Sequence, residues 1–590
     1  MRLILKSLKR YKSQCRLLLL VTMIQAASQM FITGYVSNSV DLIMKYTGGD
    51  FEYSIVRNQL VKTSLILFAC ALVMALSSVA AGIYSSRLAS AVGKDLRESL
   101  YEKVTRLSAK QINRFSISSL ITRTTMDTLK IQSTLFMMLS LSLMAPLMAV
   151  FGIIGACRHK SHMDWIIYSS VILVILTMAV VFKRVHPYVS KLNYKVDEVN
   201  RVSREGLTGV QVIRAFGREE WFADRSRKAN EEYKEYATVS GKYIQLLMPC
   251  FNFIPNLASV IIVWVGAKRV LAGLVEVGVV VEFISYVQLI VIGFMMVAMI
   301  GVQIPGTVAT AKRIEAILNT VPDIEDGNIS VRDISGHDEI SFENVFFRYS
   351  DEADYVLKNI SFKAKKGETL AIIGNTGSGK TTIMRLLTRL FDADSGKITV
   401  WGEDIKNLKL DDYLETVGYV PQRNNLFTGT IESNIRTGKK DADMKEIEEA
   451  AEFSQAQSFI QKREGGYEGK VIHGGMNLSG GQRQRMAIAR AVVRKPEIYL
   501  LDDCFSALDN MTVRNLKGEL KKKVPESVMI IVTQRISAVM DADRILVIDG
   551  GKVVGEGTHS ELISSCELYK EIASGQLADK EAAKIAKGIG

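Results

Sequence analysis

Cysteine is sparse in this 590-residue chain: the six residues Cys15, Cys70, Cys157, Cys250, Cys504 and Cys566 lie far apart, four of them in or beside apolar runs. Their spacing suits neither a disulfide framework nor a metal site, so they read as buried thiols. Apolar runs near twenty residues long are missing after about position 335, although several precede it. A cleavable leader is also not expected. The basic amino end (Lys6, Lys9, Arg10, Lys12, Arg16) is followed from Leu17 by an uncharged stretch too long and unbroken for a signal peptide, which predicts a retained first span.

What is present is segregated. The chain is 48% hydrophobic and yet 23% charged, so apolar and charged material must occupy different regions. Six runs are long enough for an α-helix to cross about 30 Å of hydrocarbon: about 15–36, 60–84, 132–156, 164–183, 244–266 and 277–302. The length calls for more than one domain. The pattern predicts a transmembrane domain over 1–320, a linker over 321–337, a second domain over 338–575 and a basic tail over 576–590.

The net charge of +12 sits largely in loops between the apolar runs, which favours a membrane protein over a nucleic-acid binder. Lysine and arginine collect over about 85–130 (Arg87, Lys94, Arg97, Lys103, Arg106, Lys110, Arg114, Arg123, Lys130) and again between the fourth and fifth runs. These segments, with the amino terminus, are therefore predicted to be cytoplasmic. The small Arg158, His159, Lys160 cluster opposes that bias. Both long basic segments have helical periodicity, broken by Ser, Thr and Gly at 113–128 and 205–221, which reads as tips that touch a soluble partner or as plain helical hairpins. Glu282 is a carboxylate inside an apolar run; it either faces a cavity or lies wet near the outer surface. The stretch Phe294, Met295, Met296, Met299 reads as an adaptable pocket or as core.

From about 338 short β-branched runs alternate with helical segments, the pattern of an α/β domain. In "TLAIIGNTGSGKTT" an apolar strand ends at Ile373, the loop Gly374, Asn375, Thr376, Gly377, Ser378, Gly379 follows, and a helix begins near Lys380. This order is that of a P-loop. Glycines let backbone N–H groups surround phosphate oxygens, Lys380 reaches the outer phosphates, and Thr381 can ligate Mg²⁺. "EIYLLDD" ends a strand in two carboxylates suited to Mg²⁺ (Asp502) and to a base (Asp503). In "NLSGGQRQRMAIARA", Ser479, Gly480 and Gly481 open a helix bearing Gln482, Arg483 and Arg485, a second potential anion-binding end.

With these motifs the whole chain resembles an ATP-binding cassette half-transporter of the exporter type, an all-α six-helix transmembrane domain followed by an α/β P-loop nucleotide-binding domain. The resemblance rests on "FRYS", the P-loop, "GYVPQ", "LSGGQ" at 478–482, Asp502 and "SALD" at 506–509, in that order. It implies ATP and Mg²⁺ as cofactors. Tyr349 would stack on adenine with Val356 beside it, Thr382 would complete the P-loop set, and Gln422 would contact Mg²⁺ and couple the site to the membrane. It also implies a dimer in which Ser479, Gly480, Gly481 and Gln482 act in trans on the partner's nucleotide, and coupling helices within 113–128 and 205–221.

Three positions depart from the family pattern. Asp503 stands where a glutamate is usual, Gln534 in "IVTQR" where a histidine is usual, and His473 where a glutamate often precedes the signature. The first two fall on one site and suggest slow hydrolysis there, with a different half-transporter as partner. A homodimer with two slow sites, in which Asp503 is the base, is the alternative. Export of amphipathic compounds leads; a lipid flippase, a peptide exporter and a regulatory ATP-binding half are the other readings, all in the plasma membrane. The six spans exclude a soluble cassette ATPase.

Overall fold

The computed structural model describes residues 7–47, 53–141, 143–158, 162–334 and 338–586. His159 and Lys160, the end of the linker at 335–337 and the last residues of the tail lie outside them. The chain divides into two compact units, one of Met1–Thr105 with Ser118–Thr320, the other of Arg106–Ile117 with Val321–Gly590.

Among the described residues, six helices of the first unit are long and apolar enough to cross a membrane: Lys9–Thr47, Tyr53–Thr105, Ile117–Arg158, Asp164–Thr208, Glu219–Leu271 and Val277–Leu318. Each outruns the apolar segment that marks it in the sequence. At 1.5 Å per residue the 53 residues of Tyr53–Thr105 extend about 80 Å, far beyond a bilayer's apolar thickness. The charged half of that helix stays helical because Ala, Leu, Glu, Lys and Arg are strong helix formers.

Close packing within this unit uses glycine against bulky side chains, as expected where helices pack in a membrane without hydrophobic drive. A Cβ added at Gly155 would fall 2.3 Å from Cζ of Tyr286, and one at Gly152 2.8 Å from Ile290. The third and sixth spans are thereby locked together. Glu282 is buried beside them, with 6% of its surface exposed, and accepts a hydrogen bond from Tyr286 Oη. It is therefore not the wet surface carboxylate that the sequence allows. Phe294 and Met295 pack against the same apolar cluster, whereas Met299 is exposed.

The two Ser/Thr/Gly-rich breaks differ. Residues 113–128 are not one tip. Ala109–Phe115 is a short helix of the second unit, capped by Ser108, whose side chain accepts from Gln111 N. Gln111 Nε2 in turn donates to Val321 O (2.6 Å) and Asp323 Oδ1 (2.8 Å). The remainder, Ile117–Thr122 and a π-helical turn Arg123–Asp127, runs into the third span, where Arg313 holds Asp127 through two hydrogen bonds of 2.9 and 2.7 Å. The second break is a true tip. Helix Asp164–Thr208 stops at Gly209, Val210–Ala215 forms a short helix, and Gly217 (φ +60°) turns the chain into Glu219–Gln245.

Among its described residues the second unit has twelve strands: β1 (Glu339–Phe347), β2 (Leu357–Lys365), β3 (Thr369–Ile373), β4 (Ser395–Val400), β5 (Glu403–Asp404), β6 (Val417–Val420), β7 (Gly429–Thr430), β8 (Lys470–Val471), β9 (Ile498–Asp502), β10 (Val528–Val532), β11 (Arg544–Asp549) and β12 (Lys552–Gly557). A six-stranded sheet has the order β12-β11-β3-β10-β9-β6, parallel except for β12. Its inner strands are buried on both faces, which is why they read as continuous apolar runs. A four-stranded antiparallel sheet, β2-β1-β4-β5, shares its core. Because β3, β10 and β9 are adjacent and parallel, with Val532 paired to both Ile372 and Asp502, the loops after all three strands open on one edge. Open α/β sheets bind ligands at that edge.

Candidate functional site

A cavity of about 330 Å³ sits there, lined by Tyr349, Val356, Thr376, Gly377, Gly379, Lys380, Thr381, Thr382, Gln422, Asp502, Asp503, Val532, Thr533 and Gln534. Most of the residues predicted for a nucleotide are in this set. Gly374, Asn375 and Ser378 form the loop itself. A Cβ at Gly374 would lie 2.0 Å from Ile548 O, and Gly379 has φ +106°, so both positions exclude larger residues.

Helix Lys380–Leu387 starts directly from the loop, aiming its amino end at the cavity. Lys380 is buried, and its Nζ donates to Gly374 O (2.8 Å), Asn375 O (2.7 Å) and Ser378 Oγ (3.4 Å). Burial lowers the pKa of this ammonium, against the opposing pull of Asp502 and Asp503. The three bonds hold the ammonium against the loop that lines the cavity. Tyr349 is held edge-on to Phe347 and Phe391, with its hydroxyl 2.9 Å from Thr382 Oγ1 and 3.0 Å from Arg385 Nη1.

Thr381 Oγ1 donates to Asp502 Oδ1 at 3.2 Å, while Asp502 Oδ2 is buried without a hydrogen-bond partner among the described residues. Desolvation raises the pKa of this carboxyl to about 6. A buried oxygen without a donor, beside a threonine hydroxyl, is the donor set of a hard divalent cation. The residues therefore fit Mg²⁺.

Asp503 follows at φ +48°, in the left-handed region, its N–H bonded to Val532 O at 2.8 Å. Its carboxylate accepts a long bond from Thr533 Oγ1 (3.5 Å). Gln534 Nε2 reaches Thr376 Oγ1 at 3.4 Å across the cavity mouth.

Ser479, Gly480, Gly481 and Gln482 are not part of this cavity. They open helix Gly480–Val492 as a capping box: Ser479 Oγ accepts from Gln482 N (3.3 Å) and Gln482 Oε1 from Ser479 N (3.0 Å). The hydroxyl proton of Ser479 remains available to an external acceptor. Arg483 and Arg485 do not join them. Arg483 Nη1 donates to Leu478 O (2.7 Å) and Arg485 Nη1 to Gln455 O (2.8 Å), so both cations serve the backbone. His473 is exposed in the turn His473–Gly475.

Three side chains that the sequence does not single out organise the loops. Gln484, 2% exposed, donates to Asp503 O (3.1 Å) and accepts from Ala507 N (3.1 Å). Arg535 donates to Ser506 O (2.7 Å), Phe505 O (3.3 Å) and Leu508 O (3.5 Å). Thr533, 1% exposed, receives Arg535 N–H at 3.1 Å while facing Asp503. Their positions beside recognisable motifs are the only signal in the sequence.

Comparison with known proteins agrees with this arrangement. The family model described as "ABC transporter transmembrane region" matches residues 16–295, and that described as "ABC transporter" matches 357–506. An uncharacterised ABC transporter ATP-binding protein of Mycobacterium bovis is 33% identical over 523 residues, 88% of this chain and 89% of its own length. The chain belongs to the ABC transporter family. A Bacillus subtilis ABC transporter ATP-binding protein is 35% identical over 85% of this transporter and 87% of its own chain. An ATP-dependent lipid A-core flippase of Desulfotalea psychrophila is 29% identical, over 82% and 84%. In fold, the transporter superposes on a bacterial Atm1-family ABC exporter with ATP bound, at a TM-score of 0.80 and 24% identity, covering 96% and 98% of the two chains. It is a multi-pass membrane protein with the architecture of an ATP-driven exporter.

Proposed function

We propose that this chain is one half of a heterodimeric exporter whose own ATP site, built on Tyr349, Val356 and Gly374–Thr382, turns over slowly. The observation that carries the proposal is the pair of side chains, Asp503 and Gln534, that line the cavity together with the P-loop and Asp502. Asp503 is one methylene shorter than glutamate and is held toward Thr533 at 3.5 Å. Gln534 is a neutral amide that reaches only Thr376. A misplacement of about 1 Å at a reacting group can cost about 10²-fold in rate, and a neutral amide adds no positive charge to the transition state.

Within the cassette, Tyr349 positions the base, and the loop amides with Lys380 bind the phosphates. Thr381, Gln422 and Asp502 hold Mg²⁺, which when bound neutralises phosphate charge. Asp503 is left to orient water. Ser479 to Gln482 stand outside this cavity at a helix start, Ser479 and Gly480 exposed and Gly481 and Gln482 half-buried. That placement supports their serving the nucleotide of a second cassette, by the Ser479 hydroxyl and the helix amino end. An intact signature paired with a weakened base makes the two sites unequal if the partner has glutamate and histidine.

The assembly lies in the plasma membrane with the amino terminus and cassette cytoplasmic, following the lysine and arginine distribution. Its cargo is amphipathic, of the drug, lipid or peptide class; resemblance to the lipid A-core flippase favours lipid-like molecules and keeps a homodimeric flippase as the second reading. Expressing the chain alone and with its genomic neighbour tests the pairing. ATPase stimulated by cargo only in the co-expressed pair is expected, and robust stimulated ATPase from the chain by itself rejects the heterodimer.

A further inference from the structure

The chain leaves β10 through Thr533, Gln534, Arg535 and Ile536, and this short loop presents Gln534 to the cavity. Within the loop Arg535 N–H bonds Thr533 Oγ1 at 3.1 Å, and Thr533 N–H bonds Ile372 O at 3.2 Å. The loop is also bracketed from a distance. Gln576 Nε2 donates to Gln534 O at 2.5 Å, and Gln576 Oε1 accepts from Ile536 N at 3.0 Å. A carboxamide is suited to this task because it donates and accepts from one rigid group. The two bonds seize the peptide groups on either side of Arg535, whose guanidinium holds the carbonyls of 505, 506 and 508.

Gln576 is itself held in place by the helix that carries it, Glu567–Ala586. Tyr569 and Ala573 on that helix are 0% and 5% exposed in the core of the second unit, and Tyr569 Oη bonds His559 Nδ1 at 2.7 Å. Positions 569, 573 and 576 are spaced by four and three residues, so they share one helix face. The docking of Tyr569 and Ala573 therefore brings Gln576 to the loop at a fixed height. The helix passes through position 576 without a break.

We infer that Gln576 is a positioning residue for the loop that faces the γ-phosphate, setting the main-chain path on which Gln534 reaches the cavity. Its consequence for turnover rests on the reading of Gln534 as the phosphate-facing residue. Gln576 does not itself line the cavity and meets its lining through the main-chain carbonyl of Gln534, away from the P-loop, so its loss should alter the rate of hydrolysis and leave nucleotide affinity intact.

The test uses the full-length chain in the assembly in which it purifies from membranes. Amide exchange at Ile536, the kcat and KM for ATP, and thermal stability are measured for wild type, Gln576→Ala, Gln576→Glu, Gln534→Ala and the double variant Gln534→Ala/Gln576→Ala. Gln576→Ala should speed exchange at Ile536 by about 10-fold or more, as expected when a local opening becomes easier, and lower kcat about 10-fold with KM unchanged. Gln576→Glu keeps the acceptor for Ile536 but loses the donor to Gln534, and should fall between. In the Gln534→Ala background Gln576→Ala should lower kcat no further, the signature of two residues acting as one unit. Unchanged exchange at Ile536, or additive effects on kcat, overturns the inference. If Gln534→Ala leaves turnover intact while exchange still responds to Gln576→Ala, the bracketing stands and the reading of Gln534 fails.

Discussion

Thr381 Oγ1 lies 3.2 Å from Asp502 Oδ1, and the other oxygen of that carboxylate is buried with no hydrogen-bond partner among the described residues. The end of β9 thus holds an under-satisfied acceptor beside a hydroxyl from the P-loop helix. An isolated domain would gain by removing it. Its retention makes sense if a cation completes it, at a cost to the stability of the nucleotide-free protein.

That cost has a sign in pH. Burial raises the Asp502 carboxyl to about 6, above the ordinary carboxylate value of about 4. The folded state therefore binds the proton more tightly than the unfolded chain, and this group's contribution to stability is fully present below about pH 4 and lost as pH rises through 6. Asp502→Asn should stabilise the cassette transition at pH 7.5 by on the order of 2 to 3 kcal/mol, and the gain should vanish by pH 4. The same variant should lose Mg²⁺-dependent nucleotide binding. Melting curves across this range, with and without Mg²⁺ and ATP, measure both.

Gln484 links the helix that begins at Ser479 to the loop that follows β9, by bonds to Asp503 O and Ala507 N. Gln484→Ala leaves two partners unmet and should cost about 2 kcal/mol or more of cassette stability. Gln484→Glu can still accept from Ala507 N but faces the Asp503 carbonyl with a charge, and should be at least as harmful. Denaturant unfolding of the full-length chain, followed by a cassette-specific probe, measures both variants.

Gln111 donates to Val321 O and Asp323 Oδ1 inside the second unit, although its helix lies in sequence between two membrane spans. Gln111→Ala should leave ATP binding within about twofold of wild type and reduce transport about 10-fold, the effect of shifting a positioned contact by about 1 Å. Transport into inside-out vesicles beside ATP binding by the same preparation separates the two.

The fold was legible where physics acts over consecutive residues. The six spans follow from uninterrupted apolar length, and the P-loop follows from a strand, a glycine loop and a helix in direct succession. The span ends were not legible, because helix Tyr53–Thr105 continues through charged residues that are good helix formers. Arg483 and Arg485 looked like anion ligands beside a helix amino end, yet the fold turns both to backbone carbonyls. The contacts that shape the site join distant positions: Gln484 to Ala507 spans 23 residues, Asp503 to Thr533 30, and Gln534 to Gln576 42. Local periodicity cannot foresee them. Glu282 was ambiguous for the same reason, since its burial and its bond from Tyr286 come from how the spans pack.

The central claim is that this chain's own ATP site is slowed by Asp503 and Gln534 while its nucleotide grip is intact. Single-turnover hydrolysis by the purified full-length chain, compared with an Asp503→Glu/Gln534→His variant at matched nucleotide occupancy, tests it most directly. The account predicts at least about a 10-fold faster rate in the variant, with ATP affinity unchanged within about twofold. Hydrolysis by the unaltered chain that already equals the variant's rate would contradict it.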